Sequence, residues 1–375
     1  MKRYESLNGL RAIAAIGIVL MHVRANIDVE VTGNFLYNNI IPVMSDFVFL
    51  FMMVSAFSLC CGYYDRFKSG TVSLNEFYKK RYSRILPFFS ILVLLSVAIP
   101  HSPNKTAVAK AATNILGSSG LSPFVEKVIE GVSELTLGYG LLPNPSMSIM
   151  GVGWFLGVIF LFYMLFPFFV FMMDNKKRAW LSFLITHILC FFCLIYFYSE
   201  KFITFDAVPK QFLYNAPFFT LGGLLFLYKD SIEKVITGGG KKSLLLLLCI
   251  AITFFYWMSS GIKDTYCGVV IKSCTMGAWL IFAIVSQTRV LHNKVIDYLS
   301  GISMEIYLSH MMSFRAVQFL HIDNCVDNVY IIYWIVSALT LAVAIAFSHV
   351  VKFYVLPFGM KLIPSGSHDG LGKCL

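Results

Sequence analysis

The chain has 375 residues, of which 58% are hydrophobic and only 13% charged, and it carries a formal net charge of +10. Soluble domains hold about a quarter of their residues as charges, so this balance excludes an ordinary soluble domain. The apolar residues fall in blocks near bilayer length, and the basic residues cluster at block ends, so the positive charge reflects membrane topology rather than nucleic-acid binding.

Ten spans are predicted, at residues 7–27, 43–64, 84–100, 151–173, 179–198, 212–228, 243–259, 267–286, 296–320 and 329–357. They make an all-α polytopic membrane bundle. The span at 212–228 is short and begins near Pro217. The stretch 121–142, rich in Gly and Glu, reads as an interfacial or re-entrant segment. The expected division is a transmembrane domain over 1–360 and a short polar tail over 361–375, with no fused domain expected.

The first span carries Arg11 and His22 inside an apolar helix. Eleven helical residues turn through about 1100°, within about 20° of three full turns, so both side chains share a face about 16 Å apart along the axis. An arginine at lipid depth costs about 3 kcal/mol or more, so such residues line a cavity where they work. Arg24, Asn26, Asp28 and Glu30 follow with no small-residue cleavage pattern, so the span is expected to be retained rather than cleaved.

The third span opens with Lys79-Lys80-Arg81-Tyr82-Ser83-Arg84-Ile85-Leu86-Pro87. Arg81 and Arg84 are i,i+3 neighbours on one helical face. A single basic residue there is an ordinary anchor, whereas two in register beside a bundle that hides Arg11 and His22 point to a phosphate-bearing ligand. Pro87 is expected to bend the helix and open room for that ligand. The segment 101–150 is the one long outer connection and a candidate lid for a second substrate.

The ninth span brings Ser303, Glu305, Tyr307, Ser309 and His310 within about 11 Å of helix rise. His22 and His310 each lie about fifteen residues from the starts of spans that run the same way, so they are expected at similar depth. His310 fits either a hydrogen-bonded core histidine or a catalytic one. Glu305 needs a cationic partner at that depth, with Arg11 and Arg315 as the candidates.

Placing the N-terminus in the cytosol puts twenty Lys and Arg inside and seven outside, which supports an even number of helices and two cytoplasmic termini. Cys190-x-x-Cys193 lies at lipid depth and reads as packing, and no Cys or His cluster has zinc spacing, so no metal is expected. Cys267 and Cys325 both fall outside, where a disulfide between them is open.

These residues resemble the membrane acyltransferase 3 family, multi-spanning enzymes that O-acylate cell-surface glycans and other extracytoplasmic acceptors. The resemblance runs in order from Leu7-Asn8-Gly9-Leu10-Arg11 with His22, through Ser55-Ala56-Phe57 and Arg81-x-x-Arg84 before Pro87. It continues through Trp154-Phe155-Leu156 with Tyr163 and Pro167, to Gly301-Ile302-Ser303 and Tyr307-Leu308-Ser309-His310. Two positions depart from the pattern: Asn8 stands where the family has Asp, and Ala56 where it has Gly. Asn8 is still expected to accept a hydrogen bond from Arg11 at i,i+3.

The resemblance implies transfer of an acyl group, most simply acetyl, from cytosolic acyl-CoA to a hydroxyl of a cell-surface or exported polysaccharide or its lipid-linked precursor. It implies His22 as general base, with Arg11, His310 and Glu305 in the catalytic group and Arg81 and Arg84 on the donor's nucleotide end. Asn8, Ser55, Trp154, Tyr163, Ser303 and Tyr307 are supporting or acceptor-side candidates, although Trp154 and Tyr163 also fit an interfacial aromatic belt. The expected partners are acyl-CoA as donor substrate, a glycan or lipid-linked sugar and the lipid bilayer. No tightly bound cofactor and no nucleic acid are expected, and the expected location is the plasma (inner) membrane. The competing class is a proton-coupled transporter of a small solute, which also uses buried Arg, His and Glu but for which the chain shows no internal repeat.

Overall fold

The computed structural model describes residues 4–27, 31, 33–98, 123–142, 150–200, 205–262, 265–322 and 326–358. Among these residues every regular element is helical. The main helices are α1 (Ser6–Asn26), α2 (Phe47–Lys68), α3 (Leu74–Ala98), α4 (Pro123–Leu135), α5 (Trp154–Met172) and α6 (Lys176–Glu200). They continue with α7 (Phe212–Val235), α8 (Gly239–Met258), α9 (Tyr266–Val285), α10 (Lys294–Gly301), α11 (Ser303–Gln318) and α12 (Val329–Val350). Among the described residues, eight helical segments are long and apolar enough to cross a membrane. The chain is therefore an all-α integral membrane bundle.

The two remaining spans expected from sequence are α7 and α11. Both are interior elements: α7 packs against α2, α6 and α9, and α11 against α1 and α12. A helix wrapped by protein does not have to match lipid, so it tolerates Asn215 or Glu305 where an outer helix would not. The outer faces belong to helices such as α6 and α8, whose Leu184, Ile188, Phe192, Leu247, Phe254 and Phe255 are exposed to the lipid side.

Helix α1 is the hub, packing against α2, α9, α10, α11 and α12. Its small residues make that possible, because without a water-driven hydrophobic effect between helices, close backbone approach supplies the association energy. A Cβ on Gly9 would fall 2.7 Å from the Leu291 backbone, and one on Gly17 would overlap the Phe47 ring. Gly222 of α7 does the same service for α2, where a side chain would overlap the Met53 carbonyl and crowd the Ala56 methyl.

Several boundaries differ from the sequence reading. Helix α3 starts at Leu74 rather than at 84, with Pro87 inside it. Its start is set by Ser73, whose Oγ accepts from the Glu76 N–H, so the ten residues 74–83 of the expected basic loop become helix. The ninth span is broken: α10 ends at Gly301, Ile302 leaves helical geometry, and α11 begins at Ser303. Helix α12 continues as a wide turn over Val351–Val355. The segment expected to be interfacial is α4 followed by a tight turn over Gly138–Leu141, packed against α3 and α5 with Glu130 and Glu134 buried. Most of 101–150, the residues Asp28 and Glu30, the tail 361–375 and Cys325 lie outside the described residues, while Cys267 is a free, exposed thiol.

Candidate active site

A cavity of about 450 Å³ opens between α1, α2, α3, α5 and the α10–α11 junction. One end is lined by Tyr4, Glu5 and Tyr63, and the other by Phe51, Phe155 and Tyr307. Phe51 and Tyr63 are twelve residues apart on one helix, so the cavity runs about 18 Å along the bundle. A volume that small spread over that length is a slot for a chain-like ligand. The distribution of basic residues assigns its Tyr63 end to the cytosol.

Three guanidiniums enter this slot: Arg11 from α1, and Arg81 and Arg84 from α3. Arg11 donates from Nη2 to Ser58 Oγ at 2.7 Å. Arg81 donates from Nη2 to Tyr63 O–H at 3.0 Å and lies over the Tyr63 ring at 5.1 Å and the Tyr163 ring at 5.8 Å. The Arg81 Nε–H is buried with no hydrogen-bond partner among the described residues. Glu5 is the one carboxylate in the lining, and it is bonded to His292 Nε2 at 2.8 Å. The slot is thus cationic and partly unsatisfied, the condition under which a phosphate or other anion is held by charge-assisted bonds.

Asn8, Ser55, Tyr163, Ser303 and Tyr307 also line the slot. Asn8 does not orient Arg11. Its Nδ2 donates to Asp297 Oδ1 at 2.8 Å, and its Oδ1 accepts from Ser300 Oγ at 3.4 Å. A carboxylate therefore does stand at this point of the fold, supplied by α10 rather than by position 8.

His22 and His310 lie outside the lining, beyond the outer end of the slot, and they lie side by side with ring centres 4.9 Å apart. His310 is fully buried and its Nδ1 is 2.5 Å from the Tyr307 carbonyl. A carbonyl only accepts, so Nδ1 carries the proton and Nε2 presents a lone pair. That Nε2 has no partner among the described residues. His22 is half-buried and is the more accessible of the two.

Glu305 and Trp154 are not in the slot. Glu305 pairs with Lys352 at 2.6 Å, while Arg315 is exposed and Arg11 is engaged by Ser58, so neither expected partner is the real one. Lys352 Nζ also donates to Gly301 O at 2.7 Å, which ties the C-terminus of α10 and the first turn of α11 to one cation. Trp154 packs edge-on against Phe155, ring centres 5.9 Å apart.

Sequence reading passed over Ser58 and Phe51, although Phe51, Ser55, Ser58 and Gly62 repeat at the spacing of one helical face and all line the slot. It also passed over a buried ion pair away from the slot. Lys272 of α9 is 2% exposed and lies 3.0 Å from Asp46, which also accepts from Tyr256 O–H.

Neither the curated proteins nor the solved structures contain a match. A family model described as an acyltransferase domain, that of the acyltransferase 3 proteins, matches residues 4–349 and so takes in the whole slot lining and both histidines. With nearly the whole helical bundle matched, the chain belongs to the membrane acyltransferase 3 family.

Proposed function

We propose that this acyltransferase moves an acyl group, most simply acetyl, from cytosolic acyl-CoA to a hydroxyl of a cell-surface or exported polysaccharide or of its lipid-linked precursor, at the plasma (inner) membrane. The observation that carries this reading is the convergence of Arg11, Arg81 and Arg84 on one narrow slot whose far end abuts a pair of histidines. A nucleotide's phosphates fit the cationic end, and the long slender arm of coenzyme A fits a slot about 18 Å in length.

In this reading Arg81 and Arg84 hold the phosphates, and Arg11 holds the arm from below. The acceptor hydroxyl approaches from the outer side. Its oxygen attacks the thioester carbonyl carbon as His22, the more exposed of the two rings, removes its proton, with the buried, unpartnered Nε2 of His310 beside it. The carbon–sulfur bond then breaks, and the coenzyme A thiolate leaves toward the cytosol and takes up the proton. Family membership supports acyl transfer over solute movement.

The test is purified protein in lipid nanodiscs given radiolabelled acetyl-CoA and polysaccharide from the cells that make it. Label in the polysaccharide, lost when Arg81 and Arg84 are both changed to Ala, supports the reading. Transport of an unmodified solute by the purified protein in sealed liposomes, with no acylated product, overturns it.

A further inference from the structure

The slot and the histidine pair are separated by aromatic rings from three helices. Phe51 of α2, Phe155 of α5 and Tyr307 of α11 meet with ring centres 6.3 Å apart (Phe51 to Phe155), 6.3 Å apart (Phe51 to Tyr307) and 5.5 Å apart (Phe155 to Tyr307). At these separations the rings touch, so the collar is closed. On its far side the His310 ring lies 5.9 Å from that of Tyr307. One turn toward the cytosol from the collar, Ser55 and Ser303 line the slot on two of the same helices.

The three leaves are not equally fixed. Tyr307 is tethered, its O–H donating to the Val152 carbonyl at 2.8 Å. Val152 is itself held in a turn that Glu134 braces by accepting from the Met150 N–H at 2.9 Å. Phe155 is wedged by Trp154 at its edge. Phe51 is half-buried, lines the slot and is held by packing alone, whereas Phe155 is buried. Opening the collar therefore falls to Phe51.

We infer that Phe51, closing against Phe155 and Tyr307, sets the size of the acyl group that reaches the histidines. A two-carbon acyl needs a small rotation of one ring, and each added methylene needs more displacement against two rings that are braced. The inference rests on the acyl-CoA reading above and extends it to chain-length selection. A methylene too many in an apolar constriction discriminates by about 10- to 200-fold, so the effect is measurable.

The experiment compares kcat/KM for acetyl-, propionyl- and butyryl-CoA in wild type, Phe51→Ala, Phe51→Leu and Tyr307→Phe, all in nanodiscs and all first checked for a monodisperse, cooperatively melting protein. The expected result is a butyryl-to-acetyl ratio at least tenfold higher in Phe51→Ala than in wild type, with a smaller rise in Phe51→Leu and in Tyr307→Phe, which loses the Val152 tether. Should Phe51→Ala be inactive with every donor, the same rise is required of Phe51→Leu and Tyr307→Phe. A ratio equal to wild type in the active variants overturns the inference. Wild type that uses no acyl-CoA overturns instead the donor reading beneath it, and that outcome is visible without any variant.

Discussion

The imidazoles of His22 and His310 come within 4.9 Å of each other although they sit on helices at opposite ends of the chain. Helix α1 makes this possible, because its small residues let α11 and α12 pack against the side that carries His22. One ring is half-buried and the other sealed, with its tautomer set by the Tyr307 carbonyl. The pair therefore combines a half-buried imidazole with one whose orientation is fixed by the backbone.

The arginines on α3 should matter for the donor and not for the acceptor. Arg81→Ala together with Arg84→Ala removes two charge-assisted contacts, each worth about 1.5–3 kcal/mol, and is expected to raise the donor KM by at least tenfold with acceptor KM unchanged. Calorimetric titration with desulfo-coenzyme A reads the same loss directly. Unchanged donor affinity removes the phosphate-holding role.

The Lys272 and Asp46 pair should be structural. Lys272→Met leaves a buried carboxylate without its cation and is expected to destabilise the detergent-solubilised protein by about 3–5 kcal/mol. Replacing both, as Lys272→Met with Asp46→Leu, is expected to restore most of that loss. A double variant as unstable as the sum of the single ones contradicts the assignment.

Lys352 should act by holding the α10–α11 junction. Lys352→Ala removes bonds to Glu305 and to the Gly301 carbonyl and is expected to cost about 1–3 kcal/mol, allowing for partial exposure. Because Ser303 and Tyr307 follow that junction, turnover should fall with it. A double-mutant cycle with Glu305→Gln measures the coupling in thermal unfolding. Additive losses with no coupling contradict the link.

What the sequence made legible follows from how each signal is written. Arg11 and His22 stand out because polar residues in an apolar helix are rare and costly, and their eleven-residue spacing places them on one face. The i,i+3 arginines on α3 were equally visible, and all three arginines do share one slot. The interruption of that slot before His22 was not legible, because it depends on rings from α2, α5 and α11 that meet only in three dimensions. The partner of Glu305 was hidden for the same reason: Lys352 lies 47 residues away and reaches it from within the wide turn at Val351–Val355. The start of α3 was in the sequence, in Ser73 and Glu76, but the apolar block itself begins only after the basic run at 79–84.

The most direct test of the catalytic pair is the turnover of His22→Ala with acetyl-CoA and acceptor, measured alongside donor binding and melting temperature. Loss of a positioned base predicts a fall in kcat of about 10²- to 10⁴-fold, with donor binding and melting temperature retained. Turnover at the wild-type rate in a folded, donor-binding His22→Ala protein would contradict the account.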